Sequence, residues 1–252
     1  MDSRPSYQSS LDQAARLRDE RRWLPALAIY ERLLAERPND PEIYRLRVLT
    51  LAEMGNNYLA WRQFQAKPEL FDAGQRERLE GNYLARLIVW AQAYPQSEEK
   101  RLAEAQVADA DIQDYLIETS RQGAALPRRI RVDRLILLNE LGRHQQVVDE
   151  YAALADQEGQ SVPGYALPAV GDSFMSLKRP EDAAPVLEAA LKADPDNSAV
   201  RTQLAYAYLE SEQPNIAIAQ LEAYRAAQPA WRRTKGAKQG SENWARFDAD
   251  TN

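Results

Sequence analysis

The sequence predicts an all-α protein that forms a right-handed superhelical solenoid of repeated helix pairs. Ala, Leu, Glu, Arg and Gln, which favour helices, are abundant, and only ten of the 252 residues are Gly. No stretch alternates apolar and polar residues with β-branched side chains, so strands are not expected. A set of small, aromatic and Pro residues also returns with a period of about 34 residues, which is typical of stacked helical repeats.

The clearest recurrence joins two consecutive segments in the C-terminal half. We expect its small residues where two helices cross closely, and its aromatic residues between neighbouring helices. The first Pro of each segment suits the first turn of a helix, where no N–H donor is needed, and the second Pro suits a helix end. The positions are Val170-Gly171, Phe174, Pro180, Ala183, Leu187, Ala190 and Pro195, which return as Leu204-Ala205, Tyr208, Pro214, Ala217, Leu221, Tyr224 and Pro229.

This period, with small residues at helix crossings and Pro at the repeat end, is the tetratricopeptide-repeat (TPR) signature. We therefore expect one solenoid over residues 1–229 and a polar tail at 230–252. Between the repeats, helical periodicity persists without the repeat spacing, which indicates an irregular pair of longer helices. The repeats are expected at about 7–40, 41–74, 128–161, 164–197 and 198–229, and the irregular pair at 75–127, with helices at about 75–94 and 98–122.

Composition excludes several kinds of chemistry. Without Cys there is no disulfide, thiolate nucleophile or Cys zinc site, and the single His, His144, excludes paired-His metal motifs. We expect His144 to be a solvated turn residue. There is also no phosphate loop or nucleophile elbow, so we expect no enzyme, no catalytic residue, no cofactor and no metal. The net charge of −6 argues against a nucleic-acid partner, and the longest apolar runs are too short to cross a bilayer.

A binding groove is the remaining candidate site, because a solenoid presents a concave face built mostly from the first helix of each pair. Residues three, four or seven apart on those helices share a face. Residues 151–229 carry 11 acidic and 5 basic side chains, so the groove suits a cationic or sugar-like ligand. A solvated acidic face without a ligand is the alternative. The candidate groove residues are Asp133, Glu140, Tyr165, Asp172, Tyr206 and Glu210.

Several short runs resemble a known family. They extend from Val162 to Asp172, from Lys178 to Glu181 and from Pro229 to Arg232, and the tail adds Lys235-Gly236-Ala237-Lys238 and Asn243-Trp244. These runs are similar to the periplasmic TPR region of PgaA-type porins, which export the biofilm polysaccharide poly-β-1,6-N-acetyl-D-glucosamine (PNAG). The similarity is clearest over about 128–246.

This resemblance implies a periplasmic scaffold of an export porin whose parent protein is anchored by an outer-membrane barrel. The implied partners are the periplasmic PNAG de-N-acetylase and the partly deacetylated polymer. The chain shows neither a signal peptide nor barrel strands, so we expect an excised fragment that does not itself span a membrane. The alternative is a generic peptide-binding TPR adaptor or co-chaperone. An adaptor that captures a carboxylate needs Lys, Arg and Asn where the predicted groove has Asp and Glu.

Overall fold

The computed structural model describes residues 6–93, 102–155 and 161–227, and of residues 102–109, 124 and 227 it describes only the backbone. Within those ranges the chain forms twelve α-helices and no strand, which confirms the all-α prediction. The chain divides into two compact units. Unit 1 is Met1–Gly142 and unit 2 is Arg143–Asn252. None of the helices seen here combines the length and apolarity needed to span a bilayer.

Unit 1 contains seven helices within the described residues, and from the first to the sixth each packs against the next. Two of them, α5 and α6, have 21 residues each, whereas the others have 10 to 14. Helix α5 also packs against α7, so it lies at the centre of this part of the unit. The helices are α1 (Tyr7–Asp19), α2 (Trp23–Glu36), α3 (Pro41–Glu53), α4 (Asn57–Ala66), α5 (Ala73–Ala93), α6 (Leu102–Gln122) and α7 (Arg128–Glu140).

Unit 2 continues with helices of 10 to 14 residues. Each packs against its neighbour in sequence, and α9 also contacts α11. Phe174 and Tyr208 are buried between helices as predicted, and the Phe174 ring meets Tyr151 edge to face at 6.3 Å. The helices are α8 (His144–Ala155), α9 (Leu167–Ser176), α10 (Pro180–Ala193), α11 (Ser198–Glu210) and α12 (Pro214–Ala227).

The turns inside the helix pairs share one geometry. In five of these turns, the second residue after the first helix adopts a left-handed conformation, with φ between 57° and 88°. In four of these turns, the N–H of the next residue donates to the carbonyl five positions earlier, at 2.8–2.9 Å. This is the Schellman closure of a helix end. The left-handed residues are Arg21, Gly55, Gly142, Lys178 and Glu212, and one full repeat period separates Arg21 from Gly55 and Lys178 from Glu212.

Helix beginnings and ends agree with the predicted roles of Pro. Pro180 and Pro214 are the first residues of α10 and α12, where the missing N–H leaves no intrahelical bond unmade. Pro195 follows Asp194, the C-cap of α10. Pro229 lies outside the described residues.

Close helix crossings occur at the small residues that the repeat predicts. A Cβ atom built on Gly171 of α9 would lie 2.4 Å from Cδ2 of Leu187 on α10, so any larger residue would force Leu187 to move. On the second helices, Ala183 is completely buried and Ala217 is 2% exposed. The prediction of a small residue at a helix crossing is therefore confirmed for Gly171, and the burial of Ala183 and Ala217 agrees with the same role.

We predict that Gly171→Ala destabilises the protein although Ala is the better helix former. Overpacking against Leu187 costs about 1–3 kcal/mol, which outweighs a helix-propensity gain of about 0.5–1 kcal/mol. The matched control is Gly81→Ala in α5, because a Cβ there meets its nearest neighbour, Ile130, at an ordinary 3.7 Å. Chemical denaturation should show Gly81→Ala to be neutral or stabilising, and equal effects of the two substitutions would contradict the crossing geometry.

Candidate binding surfaces

Four of the predicted groove residues belong to unit 2. Tyr165 lies in the turn before α9 and Asp172 on α9, while Tyr206 and Glu210 lie on α11. Both tyrosines are strongly exposed, at 57% and 58%. The amide Nε2 of Gln203, one helical turn before Tyr206, donates to Oδ1 of Asp172 at 3.4 Å. Asp172 therefore lies against the helix face that carries Tyr206.

The other two predicted groove residues lie on α7 of unit 1, and both have partners there. Oδ2 of Asp133 is 3.9 Å from Nε of Arg129, and the Asp133 side chain is only 17% exposed. Glu140 accepts a hydrogen bond of 2.9 Å from Nε2 of Gln92. Because these residues belong to a different unit from the other four, the six-residue groove stays a prediction.

His144 differs from the expected solvated turn residue. It is the first residue of α8 and is half-buried, and its Nδ1 lies 3.3 Å from Oγ of the buried Ser173 on α9. The expectation was wrong because the turn brings this imidazole against the neighbouring helix. In the part of the chain that the structure describes, no group of three or more acidic or His side chains is arranged to hold a metal ion.

Unit 1 contains a feature that the sequence analysis missed, a cleft of about 840 Å³ lined by residues of α4, α5 and α6. Its floor is aromatic. Trp61 and Tyr83 stack with ring centroids 5.2 Å apart and an interplanar angle of 10°, and the ring of Tyr115 meets both edge-on. The three side chains are 3–9% exposed, so they support the cleft while contributing little accessible ring surface.

Charged side chains line the walls of this cleft. The Tyr115 hydroxyl donates to Oε1 of Glu80 at 3.2 Å, yet burial raises the pKa of the Glu80 carboxyl despite that bond. Arg76 donates from Nε to the carbonyl oxygen of Phe71 at 2.8 Å. The charged lining consists of Glu77, Glu80, Asp111, Asp114 and Glu118 on the acidic side and Arg62, Arg76 and Arg121 on the basic side.

Asp111 is the least satisfied of these groups. Its Oδ2 is shielded from solvent and has no hydrogen-bond donor among the described residues. Burial raises the pKa of the Asp111 carboxyl, the Arg62 charge opposes this shift, and the Asp114 charge adds to it. This oxygen has therefore lost hydration, and no donor among the described residues compensates for that loss.

A local signal for this cleft is present in the sequence. Glu77 and Glu80 are three positions apart on α5, and Asp111 and Asp114 are three apart on α6, so each pair shares a helix face. What the sequence does not show is that α5 and α6 bring the two pairs to one cleft. Residues 75–127 lack the repeat spacing from which the predicted groove was built.

We predict that Asp111→Asn raises the melting temperature at pH 7, because Asn removes a charge that burial disfavours. The folded-state pKa of Asp111 lies above its unfolded value, so the penalty exists when the group is ionised and disappears as pH falls below both values. The difference from wild type should vanish at about pH 3. Thermal melts followed by circular dichroism provide the measurement, with the exposed Glu36→Gln as control. A lower melting temperature for Asp111→Asn at pH 7 would contradict the prediction.

Comparison with known proteins agrees with the repeat architecture. A family model described as tetratricopeptide repeat matches residues 174–239. The C-terminal part of a TPR repeat-containing protein from Cytophaga hutchinsonii is similar with a TM-score of 0.53 and 13% identity, over 86% of this chain and 76% of that one. A thermophilic TPR protein from Thermus thermophilus has a TM-score of 0.40 and 21% identity, over 81% of this chain and 100% of that one. No curated protein matches.

These similarities concern the fold and give no information about ligands or partners. The all-helical architecture, the turns one repeat period apart and the family match at 174–239 agree with one another. The chain has the tetratricopeptide-repeat fold.

Proposed function

We propose that this chain is a non-catalytic scaffold of a PNAG export porin, acting in the bacterial periplasm. It binds the periplasmic de-N-acetylase and the partly deacetylated polymer. TPR-fold proteins typically serve as interaction scaffolds, because stacked repeats present extended surfaces to partners. The observation that carries the proposal is the surface of unit 2 where exposed Tyr206 lies on the α11 face that contacts Asp172. The link to PNAG rests on the sequence runs over 128–246.

Charge supports binding of the polymer. Removal of acetyl groups exposes primary amines, so the product is cationic at neutral pH, while residues 151–229 carry 11 acidic and 5 basic side chains. Each exposed carboxylate–ammonium pair contributes about 0–1 kcal/mol. A cation over an exposed tyrosine ring contributes about 0.5–1 kcal/mol. Useful affinity therefore requires several contacts along the polymer.

Exposed apolar side chains support a protein partner for unit 2. Four large apolar residues on α11 and α12 are 40–51% exposed, and such a concentration on one helix pair is typical of an interaction surface. We propose that the de-N-acetylase docks on this apolar surface. Its centre is the pair Ile218 and Leu221, which are three positions apart on α12 and share a helix face. Leu209 on α11 and Ile216 on α12 are the other two exposed residues.

A generic peptide-binding adaptor is the alternative function. Its familiar form captures a carboxylate, for which Asp172 and Glu210 have the wrong sign of charge. The apolar surface is compatible with either partner, so the choice depends on binding to the named enzyme.

The polymer prediction is tested by calorimetric titration with partly deacetylated PNAG oligomers. Tyr206→Ala and Asp172→Asn should each weaken binding about two- to fivefold, which corresponds to the contact energies above. Glu181→Gln, at the exposed start of α10, controls for loss of charge in the same unit. Fully acetylated oligomers should bind more weakly than deacetylated ones. Equal affinity for both oligomers, or no change in both groove variants, would place the polymer elsewhere.

The partner prediction is tested by calorimetry with the purified de-N-acetylase. Ile218→Glu should abolish or strongly weaken association, because it places a charge within the apolar surface. Leu24→Glu is the matched control, since Leu24 is 70% exposed and belongs to unit 1. Absence of binding by the wild-type chain at about 100 μM, which corresponds to weaker than about −5.5 kcal/mol, would refute this partner.

A further inference from the structure

We propose that the cleft of unit 1 binds an arginine-bearing segment of a partner protein, with the guanidinium group held by the carboxylates of Asp111 and Asp114. The cleft has the volume of an ordinary ligand pocket, about 840 Å³. The inference goes beyond the scaffold function proposed above, since it concerns unit 1 and requires no polysaccharide.

Several acidic side chains of the cleft lack a donor among the described residues. Asp111 keeps one oxygen shielded from solvent and without a donor among the described residues. Within the same ranges, no hydrogen bond or ion pair reaches Asp114 or Glu77 either, although both line the same cleft. Asp114 also acts on Asp111 as a like charge. No donor among the described residues reaches these oxygens, of which Asp114 is exposed and Asp111 and Glu77 are half-buried, and a cation in the cleft would supply one.

The basic residues that line the cleft do not donate to these carboxyl groups. Arg76 is directed to the backbone carbonyl of Phe71. Arg121 pairs with Glu118 at 3.7 Å, with both side chains more than half exposed. Arg62 is close enough to act on Asp111 through its charge, but it makes no ion pair within 4 Å among the described residues. A guanidinium from another molecule would supply the missing donors.

The shape of the lining favours a protein side chain over a sugar. A sugar ring needs an accessible aromatic face, whereas Trp61, Tyr83 and Tyr115 are buried and pack on one another. The exposed apolar contact is aliphatic, since Ile117 in the cleft lining is 52% exposed. Such a residue suits the methylene stem of a long cationic side chain.

Arginine suits the carboxylates better than lysine does. Asp111 and Asp114 are one helical turn apart on α6, so they share a face and act on one cation together. The guanidinium has five donors in a planar fork that can satisfy two carboxylates, while an ammonium is a compact point charge. We therefore expect affinity to decrease from arginine to lysine.

The experiment is a fluorescence or calorimetric titration of the full chain with a capped tetra-arginine peptide. Tetra-lysine tests the preference for a guanidinium, and tetra-citrulline removes the charge while keeping the shape. A glucosamine tetramer tests the sugar alternative. The double variant Asp111→Asn/Asp114→Asn should lose at least about tenfold in affinity for tetra-arginine. It should stay folded, because both changes keep the side-chain shape while they remove the charge and replace one acceptor oxygen by an NH2 donor.

The matched control is Asp19→Asn/Glu36→Gln, two exposed carboxylates of unit 1, which should bind tetra-arginine like wild type. Asp172→Asn should also leave this binding unchanged, which separates the cleft from the polymer surface of unit 2. Equal losses in the cleft and control doubles would overturn the proposal, as would tetra-citrulline binding as tightly as tetra-arginine. A glucosamine tetramer that binds more tightly than tetra-arginine, and loses affinity in the cleft double, would reassign the cleft to a glycan.

Discussion

The fold depends on the closure of four helix pairs by a left-handed turn residue and the hydrogen bond that follows it. At Lys178 this residue lets the N–H of Arg179 return to the carbonyl of Phe174, at 2.9 Å, so only a short turn separates α9 from α10. The short reversal places the two helices side by side, and Gly171 then allows Leu187 to approach the backbone of α9. The close crossing therefore combines a short turn with the absence of a side chain at Gly171.

Three of these turns place a charged residue where Gly is preferred. Arg21, Lys178 and Glu212 adopt positive φ values of 57–60°, at a cost of about 1–2 kcal/mol for each L-residue. The hydrogen bonds of the helix closure and the packing that follows offset that cost. The spacing of Pro and small residues therefore predicted the helix pairs. The left-handed turn residues could not be predicted in the same way, because three of the five are not Gly.

The features that could be predicted from the sequence are those for which local helix rules and tertiary packing require the same residue. Pro180, Gly171 and Ala183 have roles that follow from helix geometry alone, and the structure shows all three. His144 was misjudged because its contact with Ser173 is made across two helices and depends on how α8 lies against α9. The cleft was missed for the same reason. Its walls come from α5 and α6, whose sequences carry helical periodicity but no repeat spacing to relate one helix to the other.

The regular crossing of α9 with α10 and the irregular cleft differ in the side chains that they bury. Where the repeat is regular, in α9 and α10, the crossing is filled by Gly171, Ala183 and Leu187, which bury no polar side-chain atom. In the irregular pair, Asp111 is partly buried with one oxygen that no described residue satisfies. Unsatisfied polar atoms also occur in the regular repeats, at Arg47, Asn57 and Arg201. Among these groups, only Asp111 is a carboxylate and lines a cleft. A neutral residue of the same shape would avoid the loss of hydration. Local rules are broken without local compensation mainly at functional sites, which makes this carboxylate, in a cleft of about 840 Å³, the candidate site for a bound cation.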